Sequence, residues 1–243
     1  MPEQPSRKTD FTARHAAMAW TLPNILTVAR IAITPVIALL PFIAGYWPKL
    51  LCFVIFVAAS ATDVIDGRLA RRNKQVTSLG AMLDPIADKL LLLATLVPIW
   101  WISRQRHDLY DIPVWGSIPL WVCLLLIGRE FAMTGFRFWA ARRGVVITAQ
   151  GPGKLKTVFQ AIFIGGTIIW FAFRDAIKPL GWEQERAALW WNQFHGGFVA
   201  VTLAIALVLT VYSFVIYLYR YRGLFTDGRP RQPRPQSPLN TPP

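Results

Sequence analysis

The chain has 243 residues, 54% of them hydrophobic, with 11 tryptophans, a positive mean hydropathy and a formal net charge of +13. That composition is too apolar for an ordinary water-soluble domain, and the length suits one compact unit. The charge might suggest a nucleic-acid partner, but its placement along the chain argues for a membrane instead and no nucleic acid is expected.

The first residues, MPEQPSRKTDFTARHAAMAW, lack the charged start, short apolar core and small-residue cleavage site of a secretory signal. Residues 1–21 are expected to stay as a cytoplasmic arm. The arm is either disordered or carries a short interfacial helix, with Phe11 and Trp20 toward lipid and Arg14 toward headgroups. Six mainly apolar stretches follow, at 23–44, 50–71, 81–101, 115–141, 157–174 and 196–219. Each approaches the roughly 20 residues needed to cross a hydrocarbon core of about 30 Å. None shows the alternation of a barrel strand, and a helix satisfies its own backbone in lipid. The expected architecture is an all-α integral membrane protein, with six transmembrane helices over 22–222 and a polar cavity facing the cytoplasm. The tail, 223–243, ends in GRPRQPRPQSPLNTPP and reads as disordered. Cys52 and Cys123 lie in apolar segments and read as small buried hydrophobes.

One set of ends and loops carries seventeen lysines and arginines, including Arg7, Arg68, Arg142 and Arg220, against six on the other, Lys49 and Arg104 among them. The positive-inside rule places both termini and the loops after the second and fourth spans in the cytoplasm. Much of this charge serves topology or meets anionic lipid.

The stretch TDVIDGRLARR, residues 62–72, closes the second span on that cytoplasmic side. Asp63 and Asp66 are one helical turn apart and point the same way. After a short connection, SLGAMLDPIADKL puts Asp84 and Asp88 on one face of the third span. The second and third spans are expected to be antiparallel neighbours whose four carboxylates converge. Like charges a few ångströms apart would force protonation unless cations offset them. An all-oxygen set suits Mg2+ or Mn2+, since zinc sites usually include Cys or His, and no histidine lies near. The competing reading, an ion-pair network with Arg68, Arg71, Arg72 and Lys89, explains neither the spacing nor the glycines. Gly67 costs a helix about 1 kcal/mol relative to alanine, which close approach by a ligand would justify. Ala70 keeps the same surface low, and Arg71 offers a fork matched to phosphate oxygens.

With Gly80 preceding Asp84, the run Asp63, Asp66, Gly67, Ala70, Arg71, Gly80, Asp84, Asp88 resembles the signature of the CDP-alcohol phosphotransferase family, with every defining position filled. The resemblance implies six transmembrane helices, a homodimer, and two divalent cations held by Asp63, Asp66, Asp84 and Asp88. It also implies displacement of CMP from a CDP-linked lipid by an alcohol. Gly67, Ala70, Arg71 and Gly80 would face the CDP moiety, and Asp88 would be the base.

The flanking segments LPNILTVARIAITP, LIGREFAMTGFRFWAARRG and GKLKTVFQ are similar to those of the bacterial phosphatidylglycerophosphate synthase branch of that family. This implies transfer from CDP-diacylglycerol to glycerol 3-phosphate at the bacterial inner membrane. Physically, these segments offer Arg129 and Arg137 on one broad side of the fourth span, and Lys154 and Lys156 where the fifth begins. The fifth helix's N-terminal dipole also favours an anion, so the four cations form a candidate cup for the acceptor phosphate. One alternative is a purely structural intramembrane pair of Arg129 with Glu130, but adjacent helix positions do not face each other, so each is expected to find a partner elsewhere. Asn24, Thr27 and Arg30 share one sector of the first span. Asn24 and Thr27 are candidate CDP contacts there, and the alternative that all three satisfy bundle contacts is equally open. Two alternatives remain for the activity: another acceptor, such as phosphatidylglycerol in cardiolipin synthesis, or a divalent-cation transporter lined by the acids.

Overall fold

The computed structural model describes residues 21–72, 78–105, 112, 116–145, 147 and 151–226, without the side chains of 64–72, 78–79, 81, 152 and 225–226. The proposed interfacial helix at 10–20 and the Pro/Arg-rich tail from Gly228 lie outside the described residues. Six long helices run through the rest: α1 (Leu22–Leu39), α2 (Tyr46–Arg72), α3 (Ser78–Gln105), α4 (Leu120–Arg142), α5 (Gly151–Ile177) and α6 (Arg186–Arg220). A single turn, α7 (Gly223–Thr226), follows.

Helix α1 shows how such a chain builds a membrane helix. Thr21 precedes it in extended geometry, and Pro23 sits in its first turn, where a missing N–H costs nothing. Its buried residues, Pro23, Asn24, Thr27, Arg30, Thr34 and Ile37, recur every three or four positions. The opposite face exposes Leu22, Ile25, Val28, Val36 and Leu39. Polar residues turn inward and apolar ones outward, the reverse of a water-soluble amphipathic helix. The Thr34 hydroxyl donates to the Arg30 carbonyl, and that of Thr27 lies 3.0 Å from the Pro23 carbonyl, so each has a partner within the helix.

Among the described residues four helical segments are long and apolar enough to cross a membrane: Leu22–Phe42, Met82–Gln105, Gly153–Leu180 and Arg186–Arg220. The chain is an all-helical, multi-pass membrane protein. Helices α2 and α4 fall outside that set, each bearing charged and polar residues in an otherwise apolar run.

The main packings are α5 on α6, α1 on α3, α2 on α5 and α1 on α2, with α4 against α3 and α6. Adjacent glycines let α5 sit between two partners: a Cβ on Gly165 would come 3.4 Å from Phe53, and one on Gly166 would come 2.9 Å from Phe198. The main core gathers Ile37, Phe56, Leu96, Leu126, Phe163 and Leu203, and Cys52 and Cys123 are both buried within it. A second cluster, around Met133, Ala140, Tyr217, Tyr221 and Leu224, closes one end of the bundle.

Several boundaries differ from the sequence expectation for identifiable reasons. Helix α2 starts at Tyr46 because Lys49 is buried against Asp175 of α5 at 2.5 Å instead of lying in a loop. Helix α4 starts later, at Leu120, because Ile112 and Gly116 exchange backbone hydrogen bonds and Pro119 occupies the N-cap. The segment expected to be disordered from 223 begins instead with the α7 turn. Leu224 there is buried, and its carbonyl accepts from Arg143.

Candidate active site

Pairs of contacts along the helices fix the depth of each polar group. Cys52 meets the carbonyl of Ile37 and Asp63 meets Arg30, so α1 and α2 run antiparallel. Asp175 with Lys49, and Gly165 with Phe53 and Phe56, show α5 antiparallel to α2 as well. Continued along both helices, that register brings Lys156 to about the level of Asp63. Cys123 lies against Leu96 and Phe131 against Lys89, so α4 is antiparallel to α3 and Glu130 reaches the depth of Asp88. Two polar clusters therefore share one end of an apolar bundle.

The first cluster is built around α1. Arg30 has 1% of its side chain exposed, and its Nη1 donates to Asp63 Oδ1 at 2.5 Å and to Asp88 Oδ1 at 3.1 Å. The Thr27 hydroxyl lies 2.8 Å from Asp84 Oδ1. Among the described residues α2 and α3 make little direct contact, contrary to the expectation that they pack as neighbours. Helix α1 lies against both, and its polar face links their carboxylates. Asp63 and Asp88 keep 40% and 57% of their side chains exposed, so the carboxylates open toward solvent while the guanidinium beneath them does not.

The other predicted residues of this region are placed as follows. Asn24, Thr27 and Gly80 are buried near the cluster's end of the bundle. Asp66, Gly67, Ala70 and Arg71 continue α2 past Asp63, and their side chains lie outside the description. Lys89, one of the cations considered for an ion-pair network, bonds the Pro85 carbonyl at 3.0 Å. Pro85 itself removes a helix donor directly beside Asp84. Among the described residues, Arg30, which the sequence placed only in a shared sector, is a cation that meets Asp63 and Asp88.

Among the described residues no three side chains of the kinds that bind metals are gathered tightly enough to enclose an ion. The donor set nevertheless fits a hard divalent cation. It offers carboxylate oxygens without sulfur or imidazole, two of them within reach of one cationic nitrogen, and they open toward solvent.

The second cluster joins three helices. Arg129 donates to Glu130 at 2.9 Å and to Ser213 of α6 at 2.9 Å, and Lys156 of α5 contacts the same Glu130 oxygen. Glu130 and Arg129 thus find partners elsewhere, as expected, and also touch each other. Their long side chains reach around the helix where their Cβ directions diverge. Lys156 and Arg129 are almost wholly buried, whereas Lys154 and Arg137 are exposed. Of the four cations predicted to form a phosphate cup, two are therefore part-neutralised by a carboxylate and two face outward.

Residues 20–212 match the CDP-alcohol phosphatidyltransferase family. The chain belongs to that family. It is 33% identical over 203 residues to the CDP-diacylglycerol–glycerol-3-phosphate 3-phosphatidyltransferase of Pectobacterium atrosepticum, covering 83% of this chain and 94% of the relative. The protein of the same name from Bacillus subtilis is 34% identical over 162 residues, covering 62% of this chain and 77% of its own. The one from Rickettsia typhi is 42% identical over 139 residues, covering 57% and 71%. Membership of a transferase family answers the transporter alternative, and the matched span takes in the acidic cluster together with Arg129, Glu130 and Lys156 of the second.

Proposed function

We propose that this family member transfers the phosphatidyl group of CDP-diacylglycerol to the primary hydroxyl of sn-glycerol 3-phosphate, releasing CMP. The observation that carries the reading is the shared depth of an acidic cluster (Asp63, Asp84, Asp88) and a basic one (Arg129, Lys156). A diphosphate-bearing donor and a phosphate-bearing acceptor need these two environments side by side. The names of the relatives point to the same pair of substrates.

In this reading all six long helices cross the membrane and the site faces the cytoplasm, with both termini on that side of a bacterial inner membrane. The charge distribution supports the orientation. The protein works as a homodimer. The diacyl chains of the donor stay in lipid while its CDP head enters beside Asn24, Thr27, Gly67, Ala70, Arg71 and Gly80.

Two divalent cations, Mg2+ or Mn2+, held by Asp63, Asp66, Asp84 and Asp88, supply charge neutralisation of the diphosphate and the departing CMP. The remaining work belongs to the chain. Arg137 and Lys154 reach the acceptor phosphate from the solvent side, and Arg129 and Lys156 form the buried floor of the same cup. The acceptor oxygen attacks the lipid-bearing phosphorus, the bond to CMP breaks, and Asp88 takes the hydroxyl proton. Most of the acceleration comes from positioning and charge stabilisation, since a carboxylate among cations is a weak base.

The test is to incubate purified protein with CDP-diacylglycerol and a panel of labelled alcohols. Glycerol 3-phosphate should be the preferred acceptor, with one CMP released per lipid formed. Preference for phosphatidylglycerol or an uncharged alcohol would overturn the acceptor assignment.

A further inference from the structure

Arg30 is a fixed positive charge set beneath an acidic site, and the reaction scheme above gives it no task. Its guanidinium is buried on α1 and donates from one nitrogen to carboxylates on two other helices. A buried guanidinium is held by its anionic partners, because leaving it unpaired costs several kcal/mol. It is thus a permanent part of the site and does not diffuse away when a metal ion arrives.

We propose that Arg30 is the built-in counter-cation of the metal-free site, and that it makes full cation loading depend on the nucleotide. The inference rests on the metal reading above. Counted as ionised, the four proposed ligands and the Arg30 bonded to two of them leave three negative charges at the empty metal site, Arg71 being assigned to the nucleotide. One divalent cation brings the site close to neutrality, and a second makes it positive. The second cation is then unfavourable until the diphosphate of the donor brings its own negative charge. Without Arg30 the four carboxylates would balance two divalent cations unaided, and the site would fill before the donor bound. A site that completes itself only around the nucleotide does not hold a fully charged metal centre open to water between turnovers.

The experiment is Mn2+ binding to the purified full chain in detergent, followed through the spin-resonance signal of free Mn2+, with and without CDP. In the parent protein, CDP should tighten Mn2+ binding. Arg30→Gln should bind Mn2+ without CDP at least about tenfold more tightly than the parent, as removal of a neighbouring unit charge predicts, and CDP should add less. Arg30→Lys keeps the charge and loses the fork, so its CDP-free affinity should stay near that of the parent.

Unchanged or weaker CDP-free binding by Arg30→Gln would overturn the proposal, showing a structural or orienting role. Should that variant fail to fold, the parent still decides: Mn2+ binding indifferent to CDP would overturn it. Asp84→Asn and Asp88→Asn report separately on the metal reading. If both bind Mn2+ as the parent does, that reading fails and the inference falls with it. If they lose Mn2+ while Arg30→Gln behaves as the parent, the inference alone fails.

Discussion

Lys156 of α5 meets the same oxygen of Glu130 on α4 that receives Arg129, so one carboxylate serves two cations from two helices. Glu130 is more exposed than either partner, with 28% of its side chain accessible against 9% for Arg129 and 3% for Lys156. Glu130→Gln should therefore leave two buried cations facing each other. The expected loss of stability is about 1–3 kcal/mol, below the cost of breaking a fully buried pair because solvent reaches the glutamate. Thermal unfolding in detergent measures it. The double change Glu130→Gln with Lys156→Met should recover part of the loss, and no recovery would show that the pair is not the unit of stability.

At the far end of the bundle, Asp175 accepts from Lys49 at 2.5 Å and from the backbone of Gly45 at 2.9 Å, tying the α1–α2 turn to the end of α5. The site described above plays no part in this clasp. Asp175→Asn should cost about 3–5 kcal/mol by leaving Lys49 poorly paired in an apolar surrounding. In the fraction that stays folded, KM for both substrates should hold, as steady-state kinetics on the purified variant would show.

The acceptor cup makes a prediction selective for one substrate. Arg137 and Lys154 are the two exposed cations of the four, and the phosphate they are proposed to bind stays on the acceptor throughout. Arg137→Gln or Lys154→Gln should lower kcat/KM for glycerol 3-phosphate about ten- to hundredfold, the worth of one charged hydrogen bond. KM for CDP-diacylglycerol should barely move, and inorganic phosphate should compete with the acceptor in the parent. Equal effects on both substrates would remove these residues from the cup.

What could be read from the sequence was local. The spacings of Asp63 with Asp66 and of Asp84 with Asp88 put carboxylates on single helix faces, a consequence of the helical repeat alone. Arg30 could not be assigned in that way, because a lone arginine in an apolar helix gives no sign of which neighbour it meets. Its partners became visible only once α1 was seen against both α2 and α3, where a short connection had suggested that those two helices pack directly. The sequence offers the contact between Arg129 and Glu130 only as the less favoured alternative, because helical periodicity describes Cβ directions, not the reach of side chains several bonds long. Lys49 and Asp175 are 126 residues apart and share no local pattern. The buried turn at Leu224 was masked by the Pro-rich composition that follows it.

A steric prediction concerns the CDP side. Gly67 lies one residue beyond Asp66 on α2, where a flat surface is proposed to admit the nucleotide. Gly67→Leu should raise KM for CDP-diacylglycerol or remove activity, whereas Arg234→Ala in the tail should do neither. Comparable damage from the two changes, measured under identical lipid conditions, would assign the basic tail a part in donor binding.

The central claim is that the aspartates hold the cations that drive phosphatidyl transfer, and CMP release by single Asp→Asn variants tests it most directly. Asp63→Asn, Asp66→Asn, Asp84→Asn and Asp88→Asn, each shown to be folded and membrane-inserted, should release no CMP from CDP-diacylglycerol and glycerol 3-phosphate. Chelation should silence the parent in the same way, and added Mg2+ or Mn2+ should restore it. Near-normal CMP release by two or more of these variants, or by the chelated parent, would contradict the account.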